Sequence, residues 1–133
     1  MREILFRGKR TDNGEWETGS LVIIRDGCSD KKVFLADKMT GYHTPVIPET
    51  VGQYTGLTDK NGVRIFEGDI VSLVKHDGLI YKVVYVPCRY ELVNSKGVNC
   101  FVLDIYKSEN IEVIGNIHDN SELLGGENNG INR

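Results

Sequence analysis

The stretch Tyr54-Thr55-Gly56-Leu57-Thr58-Asp59-Lys60-Asn61-Gly62-Val63-Arg64-Ile65-Phe66-Glu67-Gly68-Asp69-Ile70-Val71 sets short apolar runs between glycines and an Asn-Gly pair. An earlier stretch has the same order. Gly8 precedes Asn13-Gly14, Gly19 and Leu21-Val22, as Gly56 precedes Asn61-Gly62, Gly68 and Ile70-Val71. The first three landmarks repeat at an offset of 48 and the last three at 49. An aromatic stands two residues before each first glycine, Phe6 and Tyr54. Self-similarity of this kind predicts two related β units in one chain.

Almost every apolar run is short, β-branched or aromatic, and bounded by Gly, Asn or Asp, which is strand patterning. Residues 4–7 and 15–18 read as a hairpin about Asn13-Gly14, since Asn-Gly accepts the positive φ of a type I′ turn. Residues 21–24 form a continuous apolar run, expected to be buried on both faces. Residues 33–36 are another short strand. Pro45 and Pro48 make 41–48 a loop, and residues 49–51 a tight turn. Residues 53–55, 69–75, 79–86, 90–93, 101–106 and 111–117 read as further strands. Asp77-Gly78 should turn one hairpin and residues 94–97 another. Gly115 keeps the alternation of Ile111, Val113 and Ile117, and suggests a bulge or a close approach. Asn120 is placed to cap one helical turn over 121–124. The pattern is all-β, with an SH3-like small-barrel architecture and an internal duplication. The expected division is a first unit over 1–50, a second, larger unit over 51–124 packed on it, and a flexible polar tail over 125–133.

The chain has 133 residues, 40% of them hydrophobic and 26% charged, with a formal net charge of −3. Residues 1–50 carry eight basic and eight acidic side chains, and residues 51–133 carry eight and eleven. Neither part has the basic excess of a protein that grips phosphates by bulk electrostatics. Cys28, Cys88 and Cys100 are odd in number and far apart, the opening residues lack a signal-peptide core, and no run approaches transmembrane length. A cytoplasmic protein with reduced thiols is expected, with no membrane contact.

Few groups suggest chemistry. Glu67-Gly68-Asp69 could be a paired-carboxylate or metal site, but it sits between apolar runs, where Asp69 is expected to bond local backbone amides. The equivalent slot in the first unit is Gly19-Ser20, which carries no acid after the glycine. His43, His76 and His118 lack metal-ligand spacing. Arg7, Lys9 and Arg10 are the tight basic cluster. Arg7 and Lys9 share a strand face, with Trp16 across the hairpin, so these four residues are a candidate nucleic-acid or partner surface. A charged, solvated strand edge is the plainer reading. No catalytic set, metal or cofactor is expected.

The run from Val46-Ile47-Pro48-Glu49-Thr50-Val51-Gly52-Gln53-Tyr54 through Asn61-Gly62 to Ile65-Phe66-Glu67-Gly68-Asp69-Ile70-Val71 closely resembles the signature of the YopX family of phage and prophage proteins. Ile4-Leu5-Phe6-Arg7-Gly8-Lys9 with Asn13-Gly14-Glu15-Trp16 is similar to the family's start. Val113-Ile114-Gly115-Asn116-Ile117-His118-Asp119-Asn120 with Glu122-Leu123-Leu124 is similar to its end. The resemblance spans residues 4–124 in pieces. It implies an SH3-type barrel fold and a bacterial host cell, and no catalytic residues. Its signature positions, structural or binding, are Pro48, Glu49, Thr50, Gly52, Gln53, Tyr54, Gly56, Asn61, Gly62, Glu67, Gly68 and Asp69.

The expectation is a non-enzymatic interaction or assembly module. Its partner would be a host or phage protein, or a second copy joined through strand edges. A nucleic-acid-binding accessory protein using the basic first hairpin is the alternative, and a hydrolase using Asp69 or Glu49 a distant third.

Overall fold

A computed structural model of the chain describes residues 3–25, 27, 31–74, 78–97, 101–104 and 108–125. The expected tail beyond 125, Cys28, Cys100, His76, Asp77 and the end of the strand expected over 101–106 lie outside the described residues. The chain is all-β with two antiparallel sheets and divides into two units, Met1–Tyr54 and Thr55–Arg133.

The first unit holds β1 (Phe6–Lys9), β2 (Trp16–Arg25), β3 (Lys31–Ala36), β4 (His43–Pro45), a 3-10 turn (Pro48–Thr50) and the start of β5 (Gly52–Thr58). Strand order is β4-β3-β2-β1-β5, and β6 (Arg64–Phe66) follows β5 in the same sheet. Asn13-Gly14 turns the first hairpin, with the Asn13 side-chain oxygen accepting the Glu15 N–H at 2.9 Å. Phe6 lies opposite Gly19 and Lys9 opposite Trp16. Side chains alternate across the sheet, so Phe6, Gly8, Gly19 and Leu21 share one face. On that face Val33, Leu35 and Val46 form a small core with Phe6, Leu21 and Val51.

Residues 21–24 are a correction. They continue β2 rather than forming a separate buried strand, and Ile23 and Ile24 are 46% and 47% exposed. Beyond Val22 the strand has outrun β1, whose pairing ends at Phe6 and Gly19, and only β3 accompanies it. A two-stranded ribbon covers neither face fully.

The second unit takes the rest of β5, then β6 (Arg64–Phe66), β7 (Asp69–Leu73), β8 (Leu79–Val86), β9 (Arg89–Val93), β10 (Phe101–Val102), β11 (Ile111–Asn116) and a helical turn α1 (Glu122–Gly125). Its main sheet runs β10-β9-β8-β7-β11, so the last strand returns beside the first of the meander. Ile65, Val71, Leu73, Tyr81, Val83, Leu92, Leu103 and Ile111 are its core. No closed barrel is found among the described residues.

Register shifts between Val113 and Gly115, the expected bulge. A side chain at Gly115 would meet the Asn120 side chain, whose oxygen accepts the Asn116 N–H at 3.2 Å. Asn120 therefore braces the bulge instead of capping α1 with its side chain, a second correction. The nearby bulge offers that amide within reach.

The structure does not confirm the duplication. Both Asn-Gly pairs turn hairpins, but Gly19 is tight against the Ala36 backbone while Gly68 has φ +92°. One glycine answers a close approach and the other a turn.

Candidate functional site

The signature residues fall into three backbone clamps. In the first, the Thr50 hydroxyl donates to the Ile47 carbonyl at 2.6 Å and accepts the Lys9 N–H at 2.9 Å. The Ile47 N–H returns to the Lys9 carbonyl at 2.8 Å. Pro48 starts this turn because its fixed φ suits a first helical position and its missing N–H is not needed there. Thr50 is buried, while Pro48 and Glu49 are exposed. Gly52 and Gln53 then pair with Arg7 and Phe6, and the Tyr54 N–H donates to the Leu5 carbonyl at 2.8 Å.

The second clamp is centred on Asp59, which is 5% exposed. One carboxylate oxygen accepts the Asn61 and Val63 N–H groups at 2.8 and 2.9 Å. The other accepts the Val113 N–H at 3.0 Å. The Lys60 N–H donates to the Ile111 carbonyl at 3.0 Å. Burial alone would raise the carboxyl's pKa. The amides of Val113, Val63 and Asn61, with Lys60 nearby, outweigh it and hold the group below the usual carboxylate value. Gly56 and Gly62 both take positive φ on either side of this aspartate.

In the third clamp the Asp69 carboxylate, 1% exposed, accepts the Phe66 N–H at 2.7 Å. The Gly68 N–H donates to the Val83 carbonyl, and the Gly68 carbonyl accepts the Ile117 N–H. Glu67 is half-buried between them. Asp69 thus bonds local backbone, as its place in the sequence suggests.

The basic cluster divides. Arg7 and Lys9 lie on the face of β1 opposite the core, with Trp16 between them across the hairpin. The Arg7 guanidinium is 4.8 Å and the Lys9 ammonium 5.7 Å from the indole centroid. Arg10 leaves this group. Alternation points it to the other face, and its guanidinium pairs with Asp12 at 2.8 Å and Glu17 at 3.4 Å. The hydrogen bond that Arg10 donates to Asp12 raises the Arg10 pKa, and the same contact lowers that of Asp12.

Among the described residues no three His, Cys, Asp or Glu side chains gather to hold a metal, and no helix is long and apolar enough to cross a membrane. His43 is exposed and its Nδ1 lies 2.8 Å from the Gly41 carbonyl. A cleft of about 400 Å³ runs along residues 56–60 with Ser108 and Glu109.

Reading the residues one by one overlooks Asp59, although the signal is there. An Asp two places before Asn-Gly is the usual acceptor for turn amides. Its bond to Val113, 54 residues away, leaves no local trace.

The YopX family, described as YopX protein, matches residues 5–125. The chain belongs to that family. No curated protein matches it. It is similar to the crystal structure of protein EF1440 from Enterococcus faecalis, with 25% identity and a TM-score of 0.61. The match covers 94% of this chain and 100% of that one.

Proposed function

We propose that this member of the YopX family is a non-enzymatic protein-interaction module whose contact surface is the Arg7–Trp16–Lys9 group. The observation that carries this reading is that group itself. A half-buried indole and two cations are held together on the sheet face away from the core. Trp and Arg are the side chains that most often anchor protein contacts. The signature supports the same reading from the other side. Its buried polar groups Thr50, Asp59 and Asp69 are spent on main-chain bonds, which suits a frame better than a reaction centre.

The return of β11 beside β7 supports an SH3-like barrel for the second unit. The two Asn-Gly turns support a duplicated origin. Family resemblance supports a phage or prophage source, the host cytoplasm as its place, and a phage or host protein as partner. Self-association through strand edges is part of the same reading.

Nucleic acid is the second reading, on the same face. The ion pairs of Arg10 with Asp12 and Glu17 weigh against it, because they remove one of three cations from the cluster.

The test is a tagged pull-down from host lysate, with and without nuclease, comparing wild type with Trp16→Ala of unchanged circular dichroism. Proteins that survive nuclease and are lost with Trp16→Ala support the proposal. Partners that vanish with nuclease move nucleic acid to first place. Retention unaffected by the substitution removes this surface.

A further inference from the structure

We infer that the outer edge of β3 is a second binding site, which takes an extended acidic segment of a partner protein as an added strand. This goes beyond the Arg7–Trp16–Lys9 surface and does not depend on it. β4 accompanies β3 only from Ala36, opposite His43, to Phe34, opposite Pro45. The Val46 N–H then reaches the Val33 carbonyl at 3.1 Å, and the chain leaves. Val46 bridges Arg10, and the Ile47 N–H turns to Lys9. Beyond Val33, no described strand lies on the side of β3 away from β2. Amide and carbonyl groups of alternate residues point to the same side of a strand. The Lys31 main chain is therefore aimed with that of Val33 toward the gap.

A cleft of about 380 Å³ opens at this place. Val33, Phe34, Pro45, Val46 and Pro48 wall it. The two prolines contribute no N–H, so this wall offers apolar surface and few donors. Thr11, Lys31 and Lys32 complete the lining, and the two lysines are exposed and paired with no acid among the described residues. In the sequence, residues 25–32 hold three cations and two acids.

These features select one kind of occupant. A strand edge offers main-chain hydrogen bonds, which an extended peptide satisfies and nucleic acid does not. The apolar wall takes alternate side chains of that peptide, and the two lysines favour carboxylates at its other positions. Pro45 and the shortness of β4 keep the neighbouring edge from pairing, so a peptide is confined to the Lys31 end.

The probe is a synthetic decapeptide of alternating Val and Glu, titrated into the ¹⁵N-labelled full chain. Alternating Val-Lys and all-Glu decapeptides are the controls. The expected result is amide shifts centred on Lys31, Lys32 and Val33. Lys31→Glu with Lys32→Glu should weaken binding about tenfold or more, and Trp16→Ala should leave it unchanged. Lys31→Pro removes an edge donor that no described strand uses. It should fold, because edge strands accept proline, and bind more weakly than Lys31→Ala. Shifts centred elsewhere, equal binding of the all-Glu peptide, or an unaffected, folded Lys31→Pro would overturn the inference. Loss of the Trp16-dependent partners described above would leave this result untouched.

Discussion

The Asp59 carboxylate accepts the Val113 N–H at 3.0 Å, joining the signature turn to the last strand of the second unit. With the Lys60 N–H on the Ile111 carbonyl, it occupies the side of β11 that β7 leaves open. An exposed strand edge invites pairing with another chain. Here a carboxylate and one amide cover part of it.

Asp59→Asn should therefore cost about 2–3 kcal/mol, the worth of a hydrogen bond to a charged group together with an amide left poorly paired. The amide side chain presents one acceptor where the carboxylate presents two. Urea denaturation gives the loss, and hydrogen exchange should quicken most at Val113. Unchanged exchange there would show that the contact is idle.

The same group makes stability depend on pH. Its native pKa lies below the usual value, so the unfolded chain takes up the proton first as pH falls. The contribution is fully present above the unfolded pKa of about 3.9 and is lost as pH drops through the native one. Asp37 adds to the trend, since the Thr40 and Met39 amides lower its pKa. Wild type should lose midpoint stability as pH falls below about 4, while Asp59→Asn shows a shallower decline. Parallel denaturation curves at stepped pH would reveal it, and equal slopes would exclude Asp59 as a source.

Cys88 is the one non-glycine residue with positive φ, at 76°, among the described residues. Pro87 fixes the preceding φ near −65°, so the pair forms a type II-like turn whose second central position prefers glycine. Cys88→Gly should raise stability by about 1 kcal/mol. Thermal melting reads this directly, and a lowered midpoint would mean that the thiol's contacts outweigh the backbone strain.

Two glycines should respond very differently to alanine. At Gly19 the new methyl would collide with the Ala36 carbonyl oxygen, which is backbone and cannot swing aside. At Gly115 the obstacle is the Asn120 side chain, which can. Gly19→Ala should cost about 3 kcal/mol and Gly115→Ala distinctly less. Equal losses by denaturation would show that the two sites have the same freedom to relax.

What was legible in the sequence was local. Asn13-Gly14 announces a hairpin, Gly115 a bulge and Asp69 a turn acceptor, because each acts on residues close by. The apolar run predicts burial of Ile23 and Ile24, which are exposed, since hydrophobicity reports what a side chain prefers and not how far a neighbouring strand extends. Adjacency groups Arg10 with Arg7 and Lys9, yet strand alternation turns it to the opposite face and toward Asp12 and Glu17. The reach of Asp59 leaves no local pattern because its partner Val113 is remote in the chain. The cleft beside Lys31 depends on where β4 departs, which no local pattern encodes.

The division between units falls inside β5, between Tyr54 and Thr55. Gly52 and Gln53 pair with β1, while the Thr55 hydroxyl donates to the Ile65 carbonyl in the second unit. This strand thus crosses the division unbroken, as a member of one sheet. A gene break placed there would hand each product half a strand and an unfinished edge. Recombination between relatives is then expected to spare this point, so that the two units are inherited together.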